Sequence, residues 1–290
     1  MSRLDQPKPH RLPVEPSKLA EGPVWHDDAL WWTDIEGRRL HRLGGDALDQ
    51  HTSWAMPVRV GALLPSAGPA WLLACEDGLH RWTPGGERVL LADPDADRPE
   101  MRFNDAKTAP DGHVLAGTLA LTEPKAGRGC LYRWDGASVE PVVEGVTVSN
   151  GLGWSQDGGT LWYVDTPTGR VDAFDYADGR VANRRPVVTD FPGKPDGLCV
   201  TADDTLLVAQ WAGSCVVHCD PATGEHLGRI DFDTPNVTSV CFGGDAWDRL
   251  FVTTASGGVF EVTGSGLAGR APTLIDPRRL EPADDRPTSA

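Results

Sequence analysis

The chain has 290 residues, of which 42 are acidic and 27 basic, and its formal net charge is −15. This charge argues against nucleic acid or an anionic membrane surface as a partner, and no apolar run reaches the roughly 18–20 residues of a membrane span. The first 16 residues are polar and proline-rich without an apolar signal segment, so we expect a cytoplasmic protein.

Four short segments along the chain begin with a side chain that can bind a metal ion or a sugar. They begin at Glu21, Asn104, Asn150 and Asp196, and two aligned segments, at residues 60–64 and 238–242, lack such a first residue. The six units are spaced about 40–46 residues apart, which is typical of a β-propeller. The sequence therefore predicts an all-β fold, a six-bladed β-propeller with four-stranded antiparallel blades.

Short apolar runs between turn residues predict the strands of each unit. Second strands are predicted at 29–34, 113–118, 160–165, 205–210 and 249–254. Third strands are predicted at 39–43, 130–134, 170–176, 215–219 and 258–262, and an outer fourth strand at 187–191.

A propeller ring must close so that no blade keeps a free edge. We expect residues 13–19, which precede the first unit, to add the last strand of the last blade. The predicted organisation is a disordered N-terminal tail over 1–12, one propeller domain over 13–275, and a frayed C-terminal tail over 276–290.

Equivalent positions of a propeller face its axis, so Glu21, Asn104, Asn150 and Asp196 are predicted to converge there. Two carboxylates and two amides form an oxygen-only ligand set, which suits a hard divalent cation such as Ca²⁺, Mg²⁺ or Mn²⁺. Zn²⁺ or Fe²⁺ is also compatible, although no His or Cys is placed to favour it. The alternative is that these residues only form turns, as Asp-Gly and Asn-Gly dipeptides often do.

Several longer blocks carry a family resemblance. They are Glu-Gly-Pro-Val-Trp at 21–25, Arg-Phe-Asn-Asp-Ala-Lys at 102–107, Ala-Gly-Thr at 116–118, Ser-Asn-Gly-Leu at 149–152, Val-Asp-Ala-Phe-Asp-Tyr at 171–176, Asn-Arg-Arg at 183–185, Pro-Asp-Gly-Leu-Cys at 195–199 and Cys-Phe-Gly-Gly at 241–244. With these blocks in order from about residue 17 to about 270, the chain resembles the regucalcin and gluconolactonase-like family of sugar lactonases.

The resemblance implies one divalent metal ion near the axis, with Ca²⁺ as the expected ion. Its ligands would be Glu21, Asn150 and Asp196, while Arg102 and Asn104 would face the substrate. Some family members carry a Glu shortly after Ala-Gly-Thr that contacts sugar hydroxyls, and here Leu121 takes that place. The identity of the sugar is therefore left open.

The function that the resemblance implies is metal-dependent hydrolysis of aldono-1,4- or 1,5-lactones, such as gluconolactone or a pentonolactone, to the aldonic acid. Asp196 is the predicted catalytic residue, which accepts the proton of the attacking water. The expected partner is a small-molecule sugar lactone, with no nucleic acid or membrane, and the expected assembly is a monomer or weak homodimer. Two alternatives are a non-catalytic calcium-binding scaffold or buffer, and a metal-dependent hydrolase of another ester such as an organophosphate.

Overall fold

The computed structural model describes residues 3–123 and 125–282, and these form 24 β-strands and two short 3-10 helices. The strands pair into six separate four-stranded antiparallel sheets, which are the six blades of a propeller. Within the described ranges, no helix is both long and apolar enough to cross a membrane. The predicted fold class is confirmed.

The strand bounds follow the blades around the ring. The first strand along the chain is β1 (Lys8–Arg11), and it belongs to blade six. Blade one contains β2 (Ala20–His26), β3 (Ala29–Asp34), β4 (Arg39–Gly44) and β5 (Gln50–Ala55). Blade two contains β6 (Val60–Pro65), β7 (Trp71–Cys75), β8 (Gly78–Trp82) and β9 (Val89–Ala92). Blade three contains β10 (Met101–Thr108), β11 (Val114–Ala120), β12 (Gly129–Trp134) and β13 (Val139–Val146).

The other half of the ring has the same plan. Blade four contains β14 (Ser149–Trp154), β15 (Thr160–Asp165), β16 (Val171–Ala177) and β17 (Arg180–Val188). Blade five contains β18 (Lys194–Val200), β19 (Leu206–Trp211), β20 (Cys215–Cys219) and β21 (His226–Asp231). Blade six contains β22 (Val237–Gly243), β23 (Arg249–Thr254) and β24 (Gly258–Thr263), and β1 is its outer strand. The 3-10 helices are Thr166–Thr168 and Pro277–Leu280.

Burial falls from the axis outward, because the inner strands pack on both faces and the outer strands on one. Every residue of β6 and β14 is buried, whereas most of β17 is exposed. Large aromatic side chains fill the space between neighbouring blades. Trp25 of blade one stacks on Phe251 of blade six, with ring centroids 5.4 Å apart, and Trp31 meets Trp71 of blade two at 4.5 Å. These contacts hold the blades in a ring.

The closing strand differs from the prediction. It is Lys8–Arg11, not 13–19, and it pairs with β24 from Lys8 opposite Thr263 to Arg11 opposite Phe260. Leu12 continues this pairing, since its N–H donates to Val259 O at 2.8 Å, whereas the N–H groups of Lys18 and Leu19 donate to a side chain and not to a ladder. The segment 13–19 instead crosses between blades.

That crossing segment is fixed by hydrogen bonds that do not belong to a sheet. The backbone N–H groups of Lys18 and Leu19 donate to the Asp34 carboxylate, at 3.0 Å each, and the Trp32 indole donates to Ser17 Oγ at 3.2 Å. The crossing leads the chain from the rim of blade six to the axial strand of blade one.

Both predicted tails overlap the ordered fold. Residues 8–11 of the predicted N-terminal tail form β1. At the other end, the helix Pro277–Leu280 packs on the domain and buries Leu280, which keeps 1% of its surface exposed. The domain therefore extends at both ends beyond the predicted 13–275. Residues 1–2 and 283–290 of the predicted tails lie outside the described residues.

Candidate metal and substrate site

In all six inner strands, the regular pairing with the second strand of the blade is interrupted at an equivalent position. The register with the second strand shifts between Glu21 and Val24 in blade one, and the equivalent shifts lie at 60–62, 103–106, 149–152, 195–198 and 237–239. Such bulges turn side chains out of the regular pleat. Asn104, Asn150 and Asp196 fall inside three of these interruptions, and Glu21 borders a fourth.

Glycines at the bulges allow the inner strands to approach backbone to backbone. A Cβ on Gly151 would lie 2.7 Å from Asp196 O and 2.7 Å from Leu198 N of the next blade. A Cβ on Gly61 would lie 2.2 Å from Asn104 O. The close approach brings residues from different blades within hydrogen-bonding distance at the axis.

A chain of hydrogen bonds links three of the predicted site residues. Arg102 Nη1 donates to Asn104 Oδ1 at 2.8 Å, and Asn104 Nδ2 donates to Asn150 Oδ1 at 3.0 Å. Asn150 Nδ2 donates in turn to Thr166 Oγ1 at 2.8 Å, whose hydroxyl donates to Pro195 O at 2.8 Å. The structure therefore brings Arg102, Asn104 and Asn150 together. The side-chain oxygen of Asn150 faces Asn104, because it accepts the hydrogen bond from Asn104 Nδ2.

Burial and neighbouring acidic groups raise the pKa of both carboxylates of the predicted site. Burial, followed by the charge of Asp105, raises the pKa of Glu21 to about 8. Burial, followed by the charges of Glu21 and Asp105, raises the pKa of Asp196 well above its ordinary value. Arg102 acts in the opposite direction and lowers the pKa of Glu21. Carboxyl groups with such mutual repulsion lie near one another in a poorly solvated place.

One carboxylate oxygen at this place has no hydrogen-bond partner among the residues that the structure describes. Asp196 is 4% exposed, and its Oδ1 is buried without a hydrogen bond in the described part of the chain. A buried, unpaired carboxylate oxygen is costly, and a bound cation removes that cost. Two carboxylates and an amide oxygen are donors that hard divalent ions prefer, so the residues fit such an ion.

Three further residues at the axis, Asp105, Lys107 and Thr166, were not assigned a role from the sequence. Asp105 is a third acidic group, and burial raises its pKa while Lys107 lowers it. Thr166 orients the Asn150 amide. Asp105 and Lys107 belong to the same sequence block as Asn104. A bulge lets successive residues of a strand face inward, so recognising a bulge in this block could have identified them.

A cavity of about 350 Å³ opens toward the other end of the axis. It is lined by later residues of the inner strands, among them Asp105, Lys107 and Trp154, and by residues 270–273 of the C-terminal segment. Glu21, Asn150 and Asp196 are not among its lining residues, although Gly22 and Asp105 are.

A second group of potential metal ligands lies in blade two. One ligand atom each of Cys75, Asp77 and His80 lies within 4.8 Å of the others. Arg88 already pairs with Asp77 at 2.8 Å, and burial raises the pKa of the Cys75 thiol to about 12. A guanidinium in this position opposes the binding of a cation by this group.

These features define a six-bladed propeller with an acidic, amide-containing site on its axis. Residues 19–256 match the model of the family described as SMP-30/Gluconolactonase/LRE-like region. The chain belongs to this family.

Individual relatives are similar over most of their length. Regucalcin of Xenopus laevis is 33% identical over 287 residues, which cover 90% of this chain and 96% of that protein. The pentonolactonase XacC of Haloferax volcanii is 36% identical over 259 residues, which cover 87% of this chain and 85% of that protein. The crystal structure of a calcium-binding protein, regucalcin, from Agrobacterium tumefaciens matches with a TM-score of 0.86 and 26% identity, covering 95% of this chain and 97% of that one.

Proposed function

We propose that this protein hydrolyses sugar lactones to aldonic acids with a divalent metal ion held by Glu21, Asn150 and Asp196. The observation that carries the proposal is the buried Asp196 carboxylate, which has an unpartnered oxygen and interacts electrostatically with Glu21. Similarity to a pentonolactonase supports the substrate class. Similarity to a protein described as calcium-binding supports Ca²⁺ as the ion.

When bound, the ion would supply Lewis-acid polarisation of the lactone carbonyl. Asp196 accepts a proton from the water that attacks the carbonyl carbon, and that proton passes to the ring oxygen as its bond to the carbonyl carbon breaks. The ring oxygen leaves as a hydroxyl, and the former carbonyl carbon becomes the carboxylic acid. No other reactant is needed.

Arg102 and Asn104 are proposed to bind and orient the sugar. Arg102 is 7% exposed and uses Nη1 for Phe103 O and Asn104 Oδ1, at 2.9 and 2.8 Å. Its Nε has no partner among the residues that the structure describes. The guanidinium is thus fixed in direction by the protein and retains donor capacity for a sugar oxygen, which is the arrangement that orienting a substrate requires.

A calcium-binding protein without catalysis is the second candidate, because a similar structure is described in those terms. The two functions differ in what they require of Arg102. A buffer or scaffold needs the ligands alone, whereas a lactonase also needs a group that orients the substrate. Arg102→Met, assayed at saturating calcium, should therefore still bind calcium and lower kcat/KM for the lactone by about 100-fold.

The direct experiment uses metal-stripped protein and a panel of aldono-1,4- and 1,5-lactones. Ca²⁺, Mg²⁺, Mn²⁺, Zn²⁺ and Fe²⁺ are added back in turn, and acid release is followed in a pH-stat. We expect ring opening that depends on the metal with at least one gluconolactone or pentonolactone. Metal binding without acceleration of any lactone would favour the calcium-binding candidate.

A further inference from the structure

One lysine joins three inner strands beside the proposed metal site. Lys107 lies on β10, and its ammonium donates to Leu152 O of β14 at 2.8 Å and to Leu198 O of β18 at 2.6 Å. Both contacts are long-range, over 45 and 91 residues of chain. The ammonium therefore connects blades three, four and five near the axis.

The two carbonyls lie directly after the bulges that carry proposed metal ligands. Leu152 is the first residue to resume pairing after the interruption that contains Asn150, and Leu198 does so after the one that contains Asp196. Each carbonyl is thus two residues from a ligand. A shift of β14 relative to β18 would change the separation of Asn150 from Asp196.

A bulge leaves a strand less constrained than a regular ladder, because pairing on one side is interrupted. At this level the neighbouring blades face each other without a shared sheet, since all six sheets are separate. Charge-assisted hydrogen bonds are roughly twice as strong as neutral ones, so an ammonium shared by two carbonyls is an effective tie between such strands.

We propose that Lys107 is a positioning residue that sets the separation of Asn150 and Asp196, and through it the affinity of the axial site for a divalent ion. The proposal rests on the metal site of the proposed function. Lys107 does not touch the ion or the lactone in this account. It acts through the backbones of β14 and β18.

Two substitutions separate the hydrogen bonds from the charge and the packing. Lys107→Met keeps a long apolar stem and removes both donors, whereas Lys107→Arg keeps the charge and can donate to two carbonyls. Lys194→Met is the matched control, because Lys194 is an exposed lysine at the start of β18. Lys107→Gln removes the charge and shortens the side chain, and it serves in place of Lys107→Met if that variant does not fold.

The measurement is the calcium Kd of the full chain by isothermal titration calorimetry, with melting temperatures in chelator alongside. We expect Lys107→Met to weaken the calcium Kd by about 10-fold or more, the size of effect seen when groups that orient metal ligands are lost. Lys107→Arg should recover most of the affinity, and Lys194→Met should match the unmodified protein. Saturating calcium should restore kcat of Lys107→Met, because Lys107 does not contact the substrate.

If Lys107 had a purely structural role, the measurements on Lys107→Met would differ. Lys107→Met would then lower the melting temperature and leave the calcium Kd unchanged, which overturns the positioning role while the proposed function stands. If the unmodified protein binds none of the divalent ions, the proposed function itself fails, and the role of Lys107 fails with it.

Discussion

Asp196 is a single residue whose burial carries a cost in solvation. Its carboxylate is buried, one oxygen has no partner among the described residues, and Glu21 and Asp105 repel its charge. An ordinary structural carboxylate is surrounded by donors, as Asp165 is by the N–H groups of Thr147 and Val148. This contrast supports the proposal that Asp196 binds a ligand.

Removing the charge of Asp196 tests this interpretation. Asp196→Asn should lower kcat/KM for a lactone by at least about 100-fold, because it removes the proposed proton acceptor and the negative charge of a proposed metal ligand together. Its matched control is Asp175→Asn, an exposed aspartate of β16 that pairs with Arg185 at the surface. Retention of near-normal turnover by Asp196→Asn, measured beside that control, would remove Asp196 from the mechanism.

The raised carboxylate pKa values predict a pH-dependent metal affinity. Without metal, the pKa of Glu21 is about 8 and that of Asp196 is raised well above its ordinary value. Since a cation binds the ionised groups, binding must displace protons at neutral pH. The calcium affinity should therefore rise as the pH increases from about 6 to about 8.

Calorimetry in buffers of different ionisation enthalpy measures the protons released on calcium binding. We expect net release near neutral pH, and less release from Glu21→Gln, which has no proton to lose at that position. A calcium affinity that is constant from about pH 6 to about pH 8, without proton release, would contradict the assignment of the ligands.

At the scale of elements, the bulged inner strand is the unit that builds the site. The repeat spacing predicted that Glu21, Asn104, Asn150 and Asp196 meet at the axis, and in the structure Asn104 donates a hydrogen bond to Asn150. The repeat spacing did not predict the bulges, because one extra residue in a strand leaves the repeat length within its normal variation. Asp105 and Lys107 were missed for that reason.

Strand bounds were predictable where apolar runs end at clear turns. The structure has β3, β15, β20 and β23 with the predicted bounds. The outer strand of blade four was placed at 187–191 but lies at Arg180–Val188, because outer strands are mostly exposed and lack an apolar signal. The roles proposed for the site residues stay predictions, since a pattern of strands does not indicate which side chains bind a metal ion or transfer a proton.

The close approach of inner strands gives an element-scale prediction. Gly151→Ala places a Cβ 2.7 Å from Asp196 O and 2.7 Å from Leu198 N, both backbone atoms of the next blade. The strands must separate, so both the melting temperature and the calcium affinity should fall, the latter by about 10-fold or more.

Gly159→Ala is the control for that substitution. Its Cβ would have its closest contact at 3.4 Å, with the Asp157 side chain in the hairpin turn that precedes β15. We expect its calcium affinity to equal that of the unmodified protein. Equal calcium affinity of Gly151→Ala and Gly159→Ala would show that the inner strands do not need this contact.

At the scale of the whole molecule, the ring depends on a strand from the opposite end of the chain. β1 covers the outer edge of β24, and Arg11 lies over the Phe260 ring at 5.4 Å. The sequence indicated that closure was needed but misplaced the strand, because the mostly exposed residues 8–11 carry no apolar pattern that marks a strand. Closure gives blade six four strands, which is the number in every other blade.

Removing residues 1–11 should open the ring. We expect the melting temperature to fall by about 5 °C or more, since the lost strand pairing and the exposed edge together amount to a few kcal/mol. Removing residues 1–3 alone is the control, because it leaves β1 intact. A thermal melt of the longer deletion that coincides with that of the control would mean that β1 contributes little to closure.

The central claim is that blades one, four and five together hold one ion on the axis. The most direct measurement is a crystal structure of the protein with Mn²⁺, using anomalous scattering to locate the metal. We predict one strong peak on the axis, in contact with Glu21, Asn150 and Asp196. A peak elsewhere, such as at Cys75, Asp77 and His80, with the axial position empty at saturating metal, would contradict the account.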